Sequence, residues 1–379
     1  MFENKDEVHR FAESDGIAFI DLKFVDIPGR WHHITVPSSN LDDLLERGIP
    51  FDSSSVPGFR SSACGDMNLI PDLSTGFHDP FAAYPTLSFI AQLAESDTGE
   101  GYPGDPRNVL TAAERYLRER LDASSHWLPE LEFYLFDRAY YSTGRGHSGY
   151  ELESEEAVSG ENGYRQQESG GYHSLPPLDS RAGIRDEIVS IVQSLGIQVR
   201  YHHHENGGFG QHEIEIIPAP AVKAADAMMI IKYVVRMVAA RSGLVATFMP
   251  KPLYGEPGSG MHFHQFLVRD GKSLFYNPNA DYSHLSSLAT AYVAGILEHA
   301  PALVGITNPT TNSYKRLVYG FEAPTKRFFG LANRCAAIRI PKYDDNPELK
   351  RDEFRPPDAT CTPYLAMAAQ LMAGIDGVE

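Results

Sequence analysis

The chain of 379 residues is long enough to bury a large core and to divide into two domains. Its 33 Lys and Arg residues are outnumbered by 50 Asp and Glu residues, and the formal net charge of -17 at pH 7 argues against a nucleic acid or an anionic membrane as partner. Three cysteines without metal or disulfide spacing, an N-terminus without the apolar core of a signal peptide, and the lack of an apolar run near 18 residues predict a reducing, cytoplasmic location.

The N-terminal portion is predicted to be a small domain rich in strands. Residues 16–22 and 32–36 carry β-prone apolar side chains on either side of a Pro-Gly turn, which indicates two strands. The glycine-rich stretch 99–105 has the composition of a linker. We therefore expect one domain over residues 1–98 and a second over residues 99–379.

Two helices and one long polar segment are predicted after this linker. Asp105 can cap a helix over residues 106–121, because an aspartate accepts hydrogen bonds from free N–H groups and proline suits the first helical position. A second helix is expected over about residues 180–195, with an apolar stripe and with Gly196 ending it. The segment 141–171, rich in Ser, Gly, Glu and Gln, is predicted to be a loop or a mobile flap.

Carboxylates at alternating positions indicate a metal site. Glu130 and Glu132 alternate with apolar residues in a β-prone segment, so both point to one face of a strand. Like charges this close are unfavourable unless a cation lies between them, although a solvated strand face shows the same alternation. Glu205 ends a histidine run, and a glycine-rich turn lets the chain fold back so that Glu213 can converge on it. A hairpin with a polar outer face is the alternative for this second pair.

Two later segments add imidazole and guanidinium groups. His262 and His264 share a strand face beside a glycine-rich turn, and imidazole is a common ligand of divalent metals. Such a pair also occurs as ordinary surface polarity. Near the C-terminus, Glu353 and Arg355 occupy alternate positions of a further segment.

Taken in order, these segments resemble the glutamine synthetase family, type I, over almost the whole chain. The most specific segments are residues 308–317, NPTTNSYKRL, and residues 333–341, NRCAAIRIP, which charge or periodicity alone would not generate. Residues 51–55 resemble the family's Asp-Gly-Ser-Ser loop. The resemblance implies an α+β fold, in which an N-terminal β-grasp domain precedes a larger α/β catalytic domain with a curved antiparallel sheet.

The resemblance also implies a ligase that uses ATP as co-substrate and two divalent ions, Mg²⁺ or Mn²⁺, in each active site. The residues implied for one ion are Glu132, Glu205 and Glu213. The residues implied for the second ion, which is expected to bind more weakly and to be shared with the ATP phosphates, are Glu130, His262 and Glu353.

Substrate roles follow from the same resemblance. The residues implied in ATP binding are His264, Arg339 and Arg351, with the catalytic Arg334 also on the phosphates. The residues implied in glutamate binding are Gly258, Arg316 and Arg355. The ammonium pocket is expected to contain Asp52, Ser55, Tyr172 and Glu205, with Asp52 accepting a proton so that neutral ammonia can attack. Glu322 resembles the flap carboxylate that closes the site against water.

In the family, Asp52 and Ser55 reach the active site of the neighbouring subunit, so a homo-oligomeric ring of six subunits is implied, single or stacked into a dodecamer. The chain ends at Glu379, without the C-terminal extension that carries the adenylylated tyrosine in bacterial type I enzymes. We therefore expect weaker stacking and no modification by an adenylyltransferase.

Three positions depart from the family pattern. Pro257 replaces an asparagine, which removes an amide side chain and a backbone N–H that could contact glutamate. Ser53 replaces a glycine in the ammonia loop, and Phe266 replaces a serine that borders the nucleotide.

Three functions are compatible with these features. The first is ligation of ammonia to the γ-carboxylate of L-glutamate through γ-glutamyl phosphate, which gives glutamine, ADP and phosphate. The second is γ-glutamyl ligation of methylamine, a polyamine or another amine, which Ser53, Pro257 and the missing C-terminal extension favour. The third is a non-catalytic structural or regulatory homologue, which the intact set of ligands disfavours.

Overall fold

The computed structural model of the protein describes residues 2–157, 165–342 and 346–379. The chain divides into two units, the first ending at Ala113 and the second beginning at Glu114. The domain boundary inferred from the sequence stays a prediction. Both units combine helices with strands, so the α+β fold expected from the sequence is confirmed.

The first unit is built on one six-stranded sheet. Its elements in chain order are α1 (Lys5–Ser14), β1 (Phe19–Val25), β2 (Trp31–Pro37), α2 (Leu41–Arg47), β3 (Ile49–Asp52), β4 (Asp66–Pro71), β5 (Phe77–His78), β6 (Thr86–Glu95) and the first turns of α3 (Pro106–Leu121). The strand order is β2-β1-β6-β4-β3, with β5 beside β6; β1 and β6 are parallel and the other pairs antiparallel. The two predicted N-terminal strands are confirmed as β1 and β2.

Helix α3 begins as its sequence predicts. One carboxylate oxygen of Asp105 accepts the backbone N–H of Arg107 at 3.0 Å, and the other accepts the N–H of Leu93 at 3.0 Å. The first bond satisfies a donor that the helix cannot pair internally, and the second ties the helix start to β6. The predicted cap and the start at Pro106 are therefore confirmed.

The second unit is built on a ten-stranded sheet. Its elements in chain order are β7 (Ser124–Phe136), β8 (Arg138–Gly144), β9 (His147–Glu153), α4 (Ala182–Ser194), β10 (Val199–His204), β11 (Gln211–Ile216), β12 (Ala219–Pro220), α5 (Ala221–Arg241), β13 (Val245–Thr247), β14 (Met261–Arg269), β15 (Lys272–Ser273), α6 (Ser287–Thr307), α7 (Ser313–Arg316), β16 (Lys326–Leu331), β17 (Ala336–Ile340), β18 (Asp352–Phe354) and α8 (Pro363–Val378).

The central path of this sheet runs β10-β11-β7-β14-β18-β17-β16, with β12 and β13 beside β7 and β15 beside β14. Only β16 and β17 are parallel among the pairs that the structure describes. Strand β7 is buried along almost its whole length, because α5 packs against it on one face. The opposite face is free to carry the polar side chains of a site.

The segment predicted as a loop or flap is partly a hairpin. Strands β8 and β9 pair in antiparallel register and form a separate two-stranded sheet. Both strands are exposed on both faces, so they lack the apolar alternation by which a strand is recognised in a sequence. Residues 158–164 of the same segment lie outside the described residues. The predicted helix after it is confirmed as α4, and Gly196 follows with a φ of 84°.

The long apolar helix α6 packs closely on α8. Within the described residues α6 is the one helix that is long and apolar enough to cross a membrane, with a mean hydropathy of 1.3, whereas no such segment was expected from the sequence. A helix packed in a protein core has the same composition. A Cβ added at Gly295 of α6 would lie 2.2 Å from the carbonyl oxygen of Ala373 and 2.7 Å from Cα of Gly377. The two helices therefore meet backbone to backbone.

We predict that Gly295→Ala destabilises the protein by roughly 1–2 kcal/mol in urea unfolding, because overpacking a close helix contact costs more than the helix propensity that alanine gains. Gly305→Ala is the matched control, since a Cβ at Gly305 on the same helix meets no atom within 4 Å. The control should be neutral or stabilising by up to about 1 kcal/mol. Equal effects of the two substitutions would contradict the close packing.

Candidate active site

A pocket opens in the second unit beside the ten-stranded sheet. Its lining is dominated by charged groups: the carboxylates of Glu130, Glu132, Glu205, Glu213 and Glu322, the imidazole of His262, and the guanidinium groups of Arg316, Arg334 and Arg355. With Pro257 and Gly258, which also line the pocket, the structure brings together eleven of the residues that the sequence singled out.

The register of the strands explains why these side chains meet. Glu132 on β7 lies opposite Glu213 on β11, and Glu213 lies opposite His203 on β10. Glu130 on β7 lies opposite His262 on β14. Directly opposed side chains on one sheet face approach to about 5 Å, so antiparallel pairing alone gathers these groups.

The first group of possible ligands contains His203, Glu205 and Glu213, whose nearest donor atoms all lie within 4.8 Å of one another. Nε2 of His203 is 3.3 Å from Oε1 of Glu213. Burial raises the pKa of both Glu205 and Glu213 well above the ordinary carboxyl value, and neighbouring carboxylates raise it further. Glu132 joins the group from β7, with its Oε2 accepting the backbone N–H of Gly260 at 2.7 Å.

The second group contains Glu130, His264 and Glu353, again with donor atoms within 4.8 Å of one another. Nε2 of His264 is 2.8 Å from Oε1 of Glu130, and Nδ1 of His262 is 3.0 Å from Oε2. Burial opposes ionisation of Glu130, but the charge and hydrogen bonds of these histidines outweigh it and hold its pKa well below the ordinary value. His262 is also 3.8 Å from Glu353, so both histidines lie within reach of this group.

Two arginines fix the orientation of the two imidazoles. Nη2 of Arg316 donates to Nε2 of His262 at 2.9 Å, so Nδ1 is the nitrogen that faces Glu130. Nε of Arg351 donates to Nδ1 of His264 at 3.3 Å, so Nε2 faces the same carboxylate. Each ring thus accepts a hydrogen bond from an arginine on one nitrogen and directs the other nitrogen, which carries the proton, toward Glu130.

Both groups fit divalent metal ions. Carboxylate oxygens, which dominate both groups, are the donors that Mg²⁺ and Mn²⁺ prefer in proteins, and imidazole is a common ligand of divalent metals. Burial is the main cause of the raised pKa values of Glu205 and Glu213, repulsion from neighbouring carboxylates adds to it, and a cation would relieve that repulsion. Among the described residues, no arginine or lysine forms an ion pair with Glu205 or Glu213 that would neutralise their charge.

The buried arginines are held by main-chain oxygens and by Glu353. Arg316 donates to the carbonyls of Pro356 at 2.9 Å and Pro357 at 3.2 Å. Arg339 and Arg355 both pair with Glu353, and these charges outweigh the effect of burial, so that the pKa of Glu353 falls to about 2. Glu353 is therefore ionised at any physiological pH.

The pocket rim carries Glu322 and Arg334, and Tyr172 lies near Arg334 and Glu205. Glu322 has a φ of 54°, an unusual backbone conformation for a residue other than glycine, and its carbonyl accepts Nη2 of Arg355 at 3.3 Å. Nη1 of Arg334 lies 3.8 Å from Oε2 of Glu322. The Tyr172 ring stacks on His173 at 4.2 Å, and burial together with Glu205 raises the pKa of its hydroxyl.

Glycines keep the floor of the pocket open. A Cβ at Gly258 would lie 2.3 Å from the carbonyl oxygen of Pro250 and 2.7 Å from Cγ of Arg316. A Cβ at Gly260 would lie 2.5 Å from Nη2 of Arg316 and 2.6 Å from Nε2 of His262. Any side chain at these positions would therefore displace groups that build the site.

Two of the three departures from the family pattern have local explanations. Ser53 is buried, and its hydroxyl donates to the carbonyl of Gly65 at 2.8 Å. Phe266 is buried and stacks on His126, with the ring centroids 5.6 Å apart. Pro257 differs, because it lines the pocket.

Asp52 and Ser55 belong to the first unit. Asp52 accepts the backbone N–H of Ser54 at 2.9 Å, and the Ser55 hydroxyl donates to it at 3.2 Å. The hydrogen bonds from Ser54 are the main reason why the pKa of Asp52 lies below the ordinary value. The roles that the sequence suggests for both residues stay predictions.

The sequence reasoning gave no role to several residues at the site: Asn206 and Gln211, which line the pocket, His203 of the first ligand group, and Glu215, which forms a third group with Glu130 and Glu213. Gln211 donates to the carbonyl of Gly258 at 3.0 Å and to Glu132 at 3.3 Å. Its position two residues before Glu213 places it on the same strand face, so the period of two that identified the carboxylates also identifies it.

We predict that Glu213→Gln raises the melting temperature of the protein without metal and lowers it, relative to the wild type, when metal is added. Without metal, ionisation of a carboxyl with a raised pKa destabilises the wild type as the pH rises from about 4.3 through that raised pKa. The glutamine variant escapes this loss, so in EDTA at pH 8 it should melt higher than the wild type. With Mn²⁺ the order should invert, because removing a direct ligand should lower the metal affinity by at least the roughly 10–100-fold that loss of an outer partner costs.

Glu151→Gln, an equal change of charge on the exposed strand β9, is the control and should change neither the pH dependence nor the Mn²⁺ affinity. Calorimetric melting with and without Mn²⁺ measures both effects. A Glu213→Gln protein that Mn²⁺ stabilises as much as the wild type would exclude Glu213 as a ligand.

Comparison with known proteins accounts for nearly the whole chain. Residues 16–96 match the family model for the β-grasp domain of glutamine synthetase, and residues 103–379 match the model for its catalytic domain. The predicted order of a β-grasp domain before a larger catalytic domain is thus confirmed. The chain is 43% identical to a glutamine synthetase of Frankia alni, with the alignment covering 100% of this chain and 82% of the relative.

Another relative bears a different name. A 3-hydroxylaminophenol mutase of Cupriavidus pinatubonensis is 42% identical, with coverage of 100% and 82%. Among solved structures, a Plasmodium falciparum glutamine synthetase aligns with a TM-score of 0.93 at 28% identity over 100% of this chain and 75% of that chain. Apo GmaS aligns with a TM-score of 0.80 at 29% identity, with coverage of 97% and 80%. The chain belongs to the glutamine synthetase family, whose glutamine synthetases are ligases that use ATP and divalent metal ions to form a carbon–nitrogen bond.

Proposed function

We propose that the protein joins ammonia to the γ-carboxylate of L-glutamate. In the first step a γ-carboxylate oxygen attacks the γ-phosphorus of ATP, so that γ-glutamyl phosphate forms and ADP leaves. In the second step the nitrogen of ammonia attacks the acyl carbon, and phosphate leaves. The observation that supports this proposal is the pocket itself, where buried carboxylates and imidazoles in two groups lie beside Arg316 and Arg355.

The acidic groups suit the first step. Glu132, Glu205 and Glu213 are proposed to hold one divalent ion, and Glu130, His262 and Glu353 the second. When bound, these ions supply positive charge that neutralises the transferring phosphoryl group. His264 and Arg351 orient one another beside the second group, and with Arg339 they are proposed to contact the ATP phosphates.

Fixed arginines suit the recognition of glutamate. Arg316 and Arg355 are both buried and line the pocket, where main-chain carbonyls hold their guanidinium planes in place. A guanidinium held in this way binds a carboxylate without first losing side-chain freedom. Gly258 lets Arg316 pack closely against the main chain, since a Cβ there would lie 2.7 Å from Cγ of Arg316, and Gly258 is proposed to contact glutamate. Arg334, which is exposed at the rim, is proposed to reach the phosphoryl group.

The second step needs neutral ammonia, because ammonium has no lone pair with which to attack the acyl carbon. Asp52 is proposed to accept a proton from ammonium, with Ser55, Tyr172 and Glu205 completing the pocket. The hydrogen bonds that lower the pKa of Asp52 keep it ionised and able to bind a cation. Glu322 at the rim is proposed to close the pocket and to receive the proton released from the tetrahedral adduct.

The proposed assembly is a homo-oligomeric ring of six subunits. Within its own unit, Asp52 is exposed, so its carboxylate is available to another subunit. In this arrangement each active site contains Asp52 and Ser55 of a neighbouring chain, and an isolated subunit is inactive. Light scattering together with turnover on dilution tests the ring and shows whether two rings stack.

Ligation of another small amine is the second candidate, and Pro257 is the observation in its favour. Pro257 lines the pocket, and its carbonyl accepts the Tyr134 hydroxyl at 2.6 Å. Proline there provides neither an amide side chain nor a backbone N–H, so it removes polar contacts available to an asparagine. Ser53 does not support this candidate, because its hydroxyl donates its hydrogen bond to the carbonyl of Gly65 rather than to a substrate.

A panel of amines with ATP, glutamate and Mg²⁺ decides between the candidates. Phosphate release gives kcat/KM for each amine, and mass spectrometry identifies the product. We expect the highest kcat/KM for ammonia, with glutamine as product. A higher value for methylamine or a polyamine would establish the second candidate, and the absence of phosphate release with any amine would exclude both.

We predict that Asp52→Ala lowers amide formation far more than it lowers glutamate-dependent phosphoryl transfer, because only the amine step needs its charge. General-base removal typically costs about 10²–10⁴-fold in rate. ADP formation measures the first step, and glutamine formation measures the second. Ser53→Ala is a control from the same turn, and it should affect both steps equally. Equal loss of both steps in Asp52→Ala would indicate a structural role.

A further inference from the structure

The loop that follows α7, residues 317–325, forms part of the pocket rim. We call it the rim loop. Phe321, Glu322 and Ala323 of this loop all line the pocket, and the loop contains neither helix nor strand. Gly320 and Glu322 have φ values of 94° and 54°. A segment with this backbone depends on contacts from outside itself to keep one position.

One such contact comes from Lys251. Its Nζ lies 3.6 Å from the centroid of the Phe321 ring, well inside the range of about 6 Å over which an ammonium is attracted to an aromatic face. The same Nζ donates to the main-chain carbonyl of Glu256. Lys251 is buried, and burial lowers its pKa. An ammonium shielded from water interacts more strongly with a ring than an exposed one does.

Lys251 is itself held firmly. Its backbone N–H donates to Oδ1 of Asn312 at 2.7 Å, and its carbonyl accepts Nδ2 of the same side chain at 3.0 Å. The Glu256 carboxylate accepts the N–H of Gly208 at 2.8 Å and that of Ser169 at 3.2 Å. The support of Lys251 thus extends to the turn between the ligands Glu205 and Glu213 and to the segment that precedes Tyr172.

We propose that Lys251 is a positioning residue that holds Phe321, and through it the neighbouring Glu322, over the pocket. The inference rests on the proposed function, in which an acyl phosphate must meet an amine before it meets water. When the contact is intact, the rim loop covers the intermediate and most of the phosphate released corresponds to amide formed. When the contact is broken, water competes for the acyl carbon and phosphate is released without amide.

The test is the ratio of amide formed to phosphate released. Lys251→Met keeps the apolar length of the side chain and removes the charge, whereas Lys251→Arg keeps a cation that can lie on the ring. We expect the ratio to fall about tenfold in Lys251→Met and to be restored in Lys251→Arg. Phe321→Leu keeps the apolar bulk and removes the aromatic face, and it should lower the ratio as Lys251→Met does.

The double variant Lys251→Met/Phe321→Leu completes a cycle and should be no worse than either single variant, because both remove the same contact. Unchanged melting temperature and Mn²⁺ affinity separate the effect from general damage. If Lys251→Met is too unstable to purify, Phe321→Leu on the rim loop alone decides the question. A ratio at the wild-type value in Phe321→Leu, strictly additive losses in the double variant, or failure of Lys251→Arg to restore the ratio would each overturn the inference.

The outcome stays distinguishable from failure of the proposed function. If the amine panel identifies another amine, the same ratio is measured with that amine, and the inference stands or falls on the variants. If the wild type releases no phosphate with any amine, the proposed function and the inference both fail.

Discussion

Repulsion between buried carboxylates on one sheet face is the constraint on which the rest of this structure depends. Glu132 and Glu213 occupy paired positions on neighbouring strands, and Glu205 joins them from the preceding turn. Buried like charges at this spacing persist only when a cation or a proton lies among them. The register that builds the sheet therefore also creates the demand for an ion, and a bound ion returns stability to the sheet.

A layer of polar contacts behind the pocket holds this charge in place. Arg316 and Arg351 determine which nitrogen of His262 and His264 faces Glu130. Main-chain carbonyls in turn accept hydrogen bonds from both arginines. These buried contacts differ from surface ion pairs, which contribute little to stability. The site is thus rigid where it gathers charge and irregular at its rim, a division suited to a reaction that needs fixed ligands and a cover that opens.

The face of each strand could be predicted from the sequence, but its neighbours could not. Alternation identified Glu130, and it identified His264 as well, because strand periodicity is local. The approach of His264 to both Glu130 and Glu353 depends on pairing between distant segments, which no local pattern encodes. The exposed hairpin β8–β9 was missed because it has no buried face. Lys251 was missed because its role comes from loop contacts without a period.

The cross-strand arrangement also limits how the gene for this protein can change in length. One inserted or deleted residue in β7, β11, β14 or β18 would reverse the facing of every side chain beyond it and replace a carboxylate or imidazole by an apolar group. The hairpin β8–β9 is free of this constraint, since its two strands pair only with each other among the described strands. Insertions and deletions should therefore accumulate in the hairpin among descendants of this sequence, while the four strands keep a fixed number of residues.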